Sequence, residues 1–352
     1  MRVAVNLLFL LPGEVGGTEV YVRSLLAALR RMKDGPELLL FTNRENHDTF
    51  PDFEREKIDV ACSNRVARIA AEQVLLPRRL RSASANVLFS PGYTAPFRAP
   101  CPQVVLIYDV QFMAHPEDFG PVARLAHGFF VRGAANAATM IVTPSQFSAI
   151  EVHERLGIPR EKIFACRSGV DPVFFEEAPK TVLDYPYILF VANTYPHKNA
   201  AALVEAMKLL QRKIDHRLVI VGRPRRGEPM PHPILTRLQN VSPDELRGLY
   251  RGCSLYVSPS LYEGFGLPIV EAMASGARLL LSDIPAHREN AGDVATYFDQ
   301  RDPRPIADAI HSTVCAPEDK SNHAQEQARS FSWDHCAEQT SNALCSVSRK
   351  IV

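Results

Sequence analysis

Short apolar runs alternate with helical patterns over almost the whole chain. In the first half these runs are Val3 to Leu8, Glu37 to Thr42, Asn86 to Ser90, Gln103 to Tyr108 and Thr139 to Thr143. Runs of this length, with little polar alternation, read as strands buried on both faces of a parallel sheet. Residues 18–32 follow the first strand as an amphipathic helix. A polar stretch from Glu176 to Pro186, with Pro179 and Pro186 and no strong period, predicts a linker. The alternation then restarts. Strands are predicted at Tyr187 to Ala192, Arg217 to Gly222, Leu255 to Pro259 and Arg278 to Ser282, and helices at 199–213, Pro243 to Gly252 and Pro268 to Gly276. The pattern specifies an α/β protein of two similar halves, 1–176 and 177–330, each a parallel sheet with helices on both faces. Residues 331–352 predict a terminal helix packed on the second half. Two such halves imply a cleft, with ligands at the carboxyl ends of the strands.

Composition narrows the function. A length of 352 residues suits two domains. The net charge of +1 gives no electrostatic case for nucleic acid. The seven cysteines (62, 101, 166, 253, 315, 336, 345) form no CxxC pair, which argues against a zinc site or a disulfide framework and suits a reducing cytoplasm. The N-terminus, Met1 to Gly13, has the look of a signal peptide, but its apolar run is short and lacks a small-x-small cleavage site. It reads as the buried first strand. No apolar stretch approaches the roughly 18 residues needed to span a bilayer.

The candidate chemistry clusters at strand exits. In the stretch 259–273, Glu263 and Glu271 bracket a glycine turn and a helix start, with Pro268 suited to a first helical position. The N–H groups of Phe265, Gly266 and Leu267 can meet phosphate or sugar oxygens, and both carboxylates can accept from hydroxyls. Gly16 and Gly17 follow the first strand, where they serve either a close phosphate approach or a tight turn. The dinucleotide fingerprint GxGxxG is absent there, which disfavours a dehydrogenase. Lys198, at the exit of the strand ending near Ala192, can hold a diphosphate as a point charge. Tyr108 and Asp109 end another strand, and Asp109 can bind an acceptor hydroxyl or steady positive charge. His115 follows in the same loop, as a structural hydrogen-bonder or an acceptor-side group. Between residues 65 and 98 six arginines (65, 68, 78, 79, 81, 98) face one acid, Glu72, with apolar residues interleaved. That is either a solvated helix face or a surface for an anionic membrane or a phosphorylated acceptor.

Together these motifs resemble a retaining glycosyltransferase of the GT-B fold, family 4, as in bacterial mannosyl- and glucosyltransferases of polysaccharide assembly. The resemblance rests on "PSLYEGFGLPIVEAMASG", with Glu263 and Glu271 in the E-x7-E spacing. "GGTEVYVRSLL", "YDVQFMAHPEDF", "TPSQFS", "SGVD", "NTYPHKN", "VSPDELRGLYRGCSLYVSPS" and "FSW" follow in family order, so it covers nearly the whole chain. It implies two Rossmann-like α/β/α domains facing each other across a cleft, with the helix 331–352 crossing back onto the first. It also implies that Glu263 contacts the transferred sugar, Glu271 the ribose, Lys198 and Gly17 the diphosphate, and Val241 the region of the base. Two departures stand out: Asn193 where relatives carry an arginine, for which Arg223 is a substitute, and Tyr108 where relatives carry a histidine. The implied reaction moves a hexose, with retention, from a nucleotide diphosphate sugar to a glycan or lipid-linked acceptor. GDP-mannose is expected before UDP-glucose. No DxD triplet is present, so neither a metal nor another cofactor is expected. The alternatives are a sugar-nucleotide epimerase and a non-catalytic partner subunit.

Overall fold

The computed structural model describes residues 1–177, 179–316 and 321–349. The chain divides into two compact units, one of Met1–Gly169 plus the segment from Trp333 onward, the other of Val170–Ser332. The first unit holds seven strands: β1 (Arg2–Asn6), β2 (Glu37–Thr42), β3 (Glu54–Lys57), β4 (Val87–Ser90), β5 (Gln103–Leu106), β6 (Met140–Thr143) and β7 (Ile163–Ala165). They form one parallel sheet in the order β3-β2-β1-β4-β5-β6-β7. The second holds six: β8 (Tyr187–Val191), β9 (Arg217–Val221), β10 (Leu235–Leu238), β11 (Leu255–Ser258), β12 (Leu279–Ser282) and β13 (Thr296–Phe298). Their order is β10-β9-β8-β11-β12-β13, again all parallel. Both sheets are doubly wound and Rossmann-like, and each reverses direction once: between β1 and β4, and between β8 and β11.

The strand sequences explain this layering. In β8 to β12 successive residues enter opposite cores. Leu189, Val219, Tyr256, Leu279 and Leu281 pack on one face, and Ile188, Phe190, Leu218, Ile220, Val257 and Leu280 on the other. Burial on both faces is why these strands read as continuous apolar runs.

The organisation differs from the pattern-based expectation at the junction of the units and at the terminal helix. The units part after Gly169 rather than near residue 176, because Val170 and Phe174 lie in the second unit's core and the Val170 N–H donates to the Phe331 carbonyl. Residue 178, within the expected linker, lies outside the described residues, as do residues 350–352 of the expected terminal helix. That helix runs Trp333–Ser348 and belongs to the first unit, as the resemblance implied, and not to the second, as the pattern alone suggested. The Trp333 ring meets Tyr21 edge-on at 5.2 Å, and Arg31 pairs with Asp334 at 2.7 Å. The stretch 65–82 is an α-helix (Arg65–Ala70), a π turn (Ala71–Leu75) and a second α-helix (Leu76–Ser82).

Trp333→Ala should therefore lower the stability of the first unit by about 3–5 kcal/mol, the usual cost of emptying a buried aromatic site. Hydrogen exchange of β1 and β5 amides against denaturant measures it. A loss below about 1 kcal/mol would show that the C-terminal helix adds little to this core.

Candidate functional site

In the second unit the loops after β8 and β11 meet at the point where strand order reverses, which is where ligands of open α/β sheets bind. The loop after β8 ends in a single turn, Pro196–Lys198, stopped by Asn199 in the left-handed region at φ 55°. That stop aims Lys198 across at the loop after β11. Its Nζ lies 2.6 and 2.7 Å from the two oxygens of Glu263, and Ser260 Oγ donates to Oε1 at 2.8 Å. Both side chains are mostly buried, at 20% and 13% exposure. Burial pushes the Glu263 carboxyl up. The Lys198 ammonium, His287, the Lys198 hydrogen bonds and His197 outweigh that, so the group titrates below its ordinary value.

Behind the pair lies a buried hydrogen-bonded chain. The His287 Nδ1–H lies 2.9 Å from the Ser282 carbonyl and 3.1 Å from Ser282 Oγ. Ser282 Oγ donates to the Ser260 carbonyl at 2.6 Å. Burial holds His287 neutral, down to about 4. A carbonyl only accepts, so the ring proton sits on Nδ1, and Nε2 finds no partner among the described residues.

Glu271 sits one turn inside the helix Leu267–Ala274, whose N-cap Gly266 is left-handed at φ 89°, a conformation that favours glycine. Tyr250 donates to its Oε2 at 3.0 Å. Burial raises Glu271 to about 7 against that hydrogen bond, with Asp171 adding to the rise. Asn290 fixes the turn by donating to the Phe265 carbonyl, and Phe265 itself is a core residue rather than a surface one. At the start of the helix Pro268 has no N–H and the Ile269 N–H donates to the Gly266 carbonyl at 3.0 Å, so of these the Leu267 amide alone has no intrahelical acceptor.

Asn193 does not stand alone. Its Oδ1 accepts from the Arg223 N–H at 2.8 Å, tying the loops after β8 and β9 together. Gly222 permits that approach, since a Cβ there would lie 2.3 Å from the Ala192 carbonyl oxygen. Val241 packs against the core beside the capped helix Pro243–Gly252. Among the described residues no group of three or more His, Cys, Asp or Glu side chains is placed to hold a metal ion.

The remaining candidates lie in the first unit. Gly16 caps the helix Gly17–Arg31 at φ 56°. Tyr108 is buried, its hydroxyl donating to the Pro91 carbonyl at 3.1 Å and its ring meeting Tyr21 and Tyr93, each at 5.2 Å. Burial lifts its phenol well above the ordinary range. Asp109 receives the Tyr93 hydroxyl at Oδ2 and the Gln111 N–H at Oδ1, both at 3.1 Å. His115 Nδ1 lies 2.9 Å from Glu117. Within the basic segment Glu72 is wholly buried and takes bonds from Asn6 and Thr94, while Leu76 and Leu80 face the core. Val66, Val74 and Leu75 remain exposed.

Sequence reasoning missed Tyr250, His287, Ser260, Ser282 and Tyr93, none of which carries a local signal. Tyr93 is the sharpest omission. It has φ 66°, a backbone state that costs an L-residue about 1–2 kcal/mol.

Two family patterns match the chain. Glycosyl transferases group 1 spans residues 174–331, and Glycosyltransferase Family 4 spans residues 15–174. The chain is 27% identical to O-antigen chain mannosyltransferase B of Escherichia coli, covering 92% of this chain and 94% of that protein. The serotype-specific mannosyltransferase WbdA of Escherichia coli is 30% identical over 57% of this chain and 28% of its own length. Sucrose-phosphate synthase of Thermosynechococcus elongatus superimposes with a TM-score of 0.80 at 16% identity, covering 99% of this chain and 100% of that one. Anabaena HepE in complex with UDP and glucose gives 0.75 at 17% identity, over 98% and 100%. At these identities the structural likenesses speak for the fold.

Replacing Lys198 by Met should cost about 3 kcal/mol at pH 7, because a mostly buried carboxylate loses its partner. Glu263 titrates low in the native protein, so the pair stabilises fully above the unfolded value near 4.3 and loses that contribution as pH falls. In the variant, burial outweighs the remaining Ser260 hydrogen bond and raises the carboxyl, so its deficit should shrink between pH 7 and pH 5. Glu263→Gln added to Lys198→Met should recover part of the loss. A pH-independent deficit in urea unfolding would contradict the assignment.

Proposed function

The chain belongs to the group 1, family 4 glycosyltransferases of the GT-B fold, and from that premise we propose that it is a retaining hexosyltransferase moving mannose from GDP-mannose to a glycan or lipid-linked acceptor. UDP-glucose is the second donor choice. The observation that carries this reading is the Lys198–Glu263 pair at the reversal point of the second sheet. Two mannosyltransferase relatives support the sugar. Lys198 would leave Glu263 to neutralise the donor diphosphate, aided by Arg223 and the amides of Phe265, Gly266 and Leu267. Glu263 would then be free to accept from hydroxyls of the sugar, and Glu271 from the ribose, with Val241 beside the base and Gly16 and Gly17 close to the phosphate. The bond from the anomeric carbon to the phosphate oxygen breaks, its electron pair leaving with that oxygen, and the bond from the same carbon to the acceptor oxygen forms on the same face. The acceptor proton passes to the departing phosphate oxygen. This route needs no protein base, which suits a Tyr108 phenol locked onto a carbonyl. Charge stabilisation and positioning supply the rate. With Lys198 as the cation, transfer is expected to survive EDTA, and no cofactor beyond the donor is called for.

Residues 65–98, with Val66, Val74 and Leu75 exposed beside Arg65, Arg78, Arg79, Arg81 and Arg98, are the proposed peripheral contact with an anionic membrane. Among the described residues no helix is long and apolar enough to cross one. The seven unpaired cysteines favour a cytoplasmic setting.

Three outcomes test this reading. GDP-mannose should raise the melting temperature by mass action, and Glu271→Ala should abolish the shift. Ribose hydroxyls donate, and an ionised Glu271 accepts from them more strongly than a carboxyl that carries an O–H of its own, so binding favours the ionised form. With that carboxyl raised to about 7, affinity should rise from pH 6 to pH 8, approaching tenfold per unit on the acid side. Glu271→Gln should bind weakly at every pH, and a flat wild-type profile would remove Glu271 from the ribose. Vesicles rich in anionic lipid should float the protein, neutral vesicles should not, and Arg78→Ser with Arg79→Ser should weaken the effect. Equal flotation of wild type and variant would exclude the basic segment.

A further inference from the structure

The helix Pro285–Ala291, which follows β12, carries His287 and Asn290 one turn apart on one face, and both are buried. Asn290 donates to the Phe265 carbonyl, at one end of the loop after β11. His287 reaches the other end through two serines. Its Nδ1–H is shared between the Ser282 carbonyl at 2.9 Å and Ser282 Oγ at 3.1 Å. Ser282 Oγ gives its own proton to the Ser260 carbonyl at 2.6 Å, so toward the ring it can only accept. These two bonds run in one direction and polarise each other. They hold the backbone of Ser260, whose hydroxyl donates to Glu263 Oε1 at 2.8 Å.

We propose that His287 is a positioning residue for the donor sugar: acting through Ser282 and Ser260, its ring holds the Glu263 carboxylate in the orientation that receives a sugar hydroxyl. The proposal rests on the transferase reading above and deepens its donor site. Lys198 cannot do this alone. Its Nζ grips both oxygens of Glu263, but in that reading the diphosphate draws it away. Among the described residues the Ser260 hydroxyl is then the one hydrogen bond left on the carboxylate. Oε1 stays fixed, and Oε2 is released for the sugar. The tautomer of the ring decides whether this works. With the proton on Nε2, the Nδ1 lone pair would face the Ser282 carbonyl and the relay would lose its first bond. Nε2 is instead left without a partner among the described residues, in a fully buried ring. An unpaired buried nitrogen is a cost, and here it keeps the Nδ1 proton aimed at Ser282. Burial also keeps the ring uncharged, down to about 4, so the relay has one form at neutral pH.

The test uses the full chain, with GDP and GDP-mannose titrated separately by calorimetry. GDP brings the diphosphate without the sugar, so it reports the lysine and the loop amides but no contact between Glu263 and a hydroxyl. Asparagine can place its amide N–H where Nδ1 sits, whereas the longer glutamine places it near Nε2. His287→Gln should weaken GDP-mannose about tenfold more than it weakens GDP, the loss expected when a hydrogen bond to a charged group is misplaced. His287→Asn should bring that difference back to within about twofold. Ser260→Ala, which removes the last donor of the relay, should reproduce the glutamine result. A merely structural role would weaken both ligands together. Equal weakening of the two ligands in His287→Gln, or an asparagine variant no better than the glutamine one, would overturn the positioning role with the donor reading intact. If the variants do not fold, heteronuclear NMR of the wild-type imidazole nitrogens decides: a protonated Nδ1 is expected, and a proton on Nε2 would overturn the relay. Failure of the folded wild type to bind GDP-mannose at all would instead remove the proposed function.

Discussion

The second unit depends on holding a charged pair where its sheet reverses. Strands β8 and β11 lie side by side, but the chain leaves them toward opposite flanks, so only loop residues cover their carboxyl ends. Lys198 and Glu263 fill that place. Taking such charges largely out of water costs several kcal/mol per ion and is offset only by close geometry and further hydrogen bonds. The surrounding sequence supplies both. Asn199 ends the turn that aims the lysine, Ser260 donates to the carboxylate, and Ser282 with His287 holds Ser260 from behind.

The first unit has the same reversal, between β1 and β4, and uses it differently. There Glu72 is fully buried beneath the π turn, bonded by Asn6 and Thr94, with Arg68 at 3.6 Å. Burial wins over these partners and raises its carboxyl. At Glu263 a lysine at 2.6 Å reverses the balance. One topology thus holds two buried glutamates whose protons lean in opposite directions, and the distance to the cation decides which. Glu72 is built to stay as structure; Glu263 is ionised and paired with a cation that a more highly charged anion can attract away.

What was legible in the sequence follows from burial. The central strands were read because both faces are apolar, and β2 was placed to the residue. The four unread strands, β3, β7, β10 and β13, are the edges of the two sheets. Glu54–Lys57 carries four charged residues in a row, and β10 is only half-buried, so neither shows a continuous run or an apolar alternation. The segment 65–98 was read as a basic amphipathic stretch with one acid, and the pattern could not reveal that this acid, Glu72, is buried. The positions of Glu263 and Glu271 around a helix start, and of Lys198 at a strand exit, were legible from the motif and from the strand pattern. Tyr250, Ser260, Ser282 and His287 were not, since each acts through a partner brought near only by the fold.

Tyr108 shows how such support works. Read as a replacement for a reactive group, it looks like lost chemistry. In the fold its ring is one step in a run of aromatic contacts, Trp333 to Tyr21 to Tyr108 to Tyr93, with centroids 5.2 Å apart at each step. Its hydroxyl grips the Pro91 carbonyl, two residues before the strained Tyr93. A left-handed tyrosine persists only where neighbours forbid relaxation. Packing of the C-terminal helix, the phenol at 108 and the turn at 93 therefore form one mechanical unit. The cost of that turn is borne by the aromatic core, and what it secures is the orientation of Asp109.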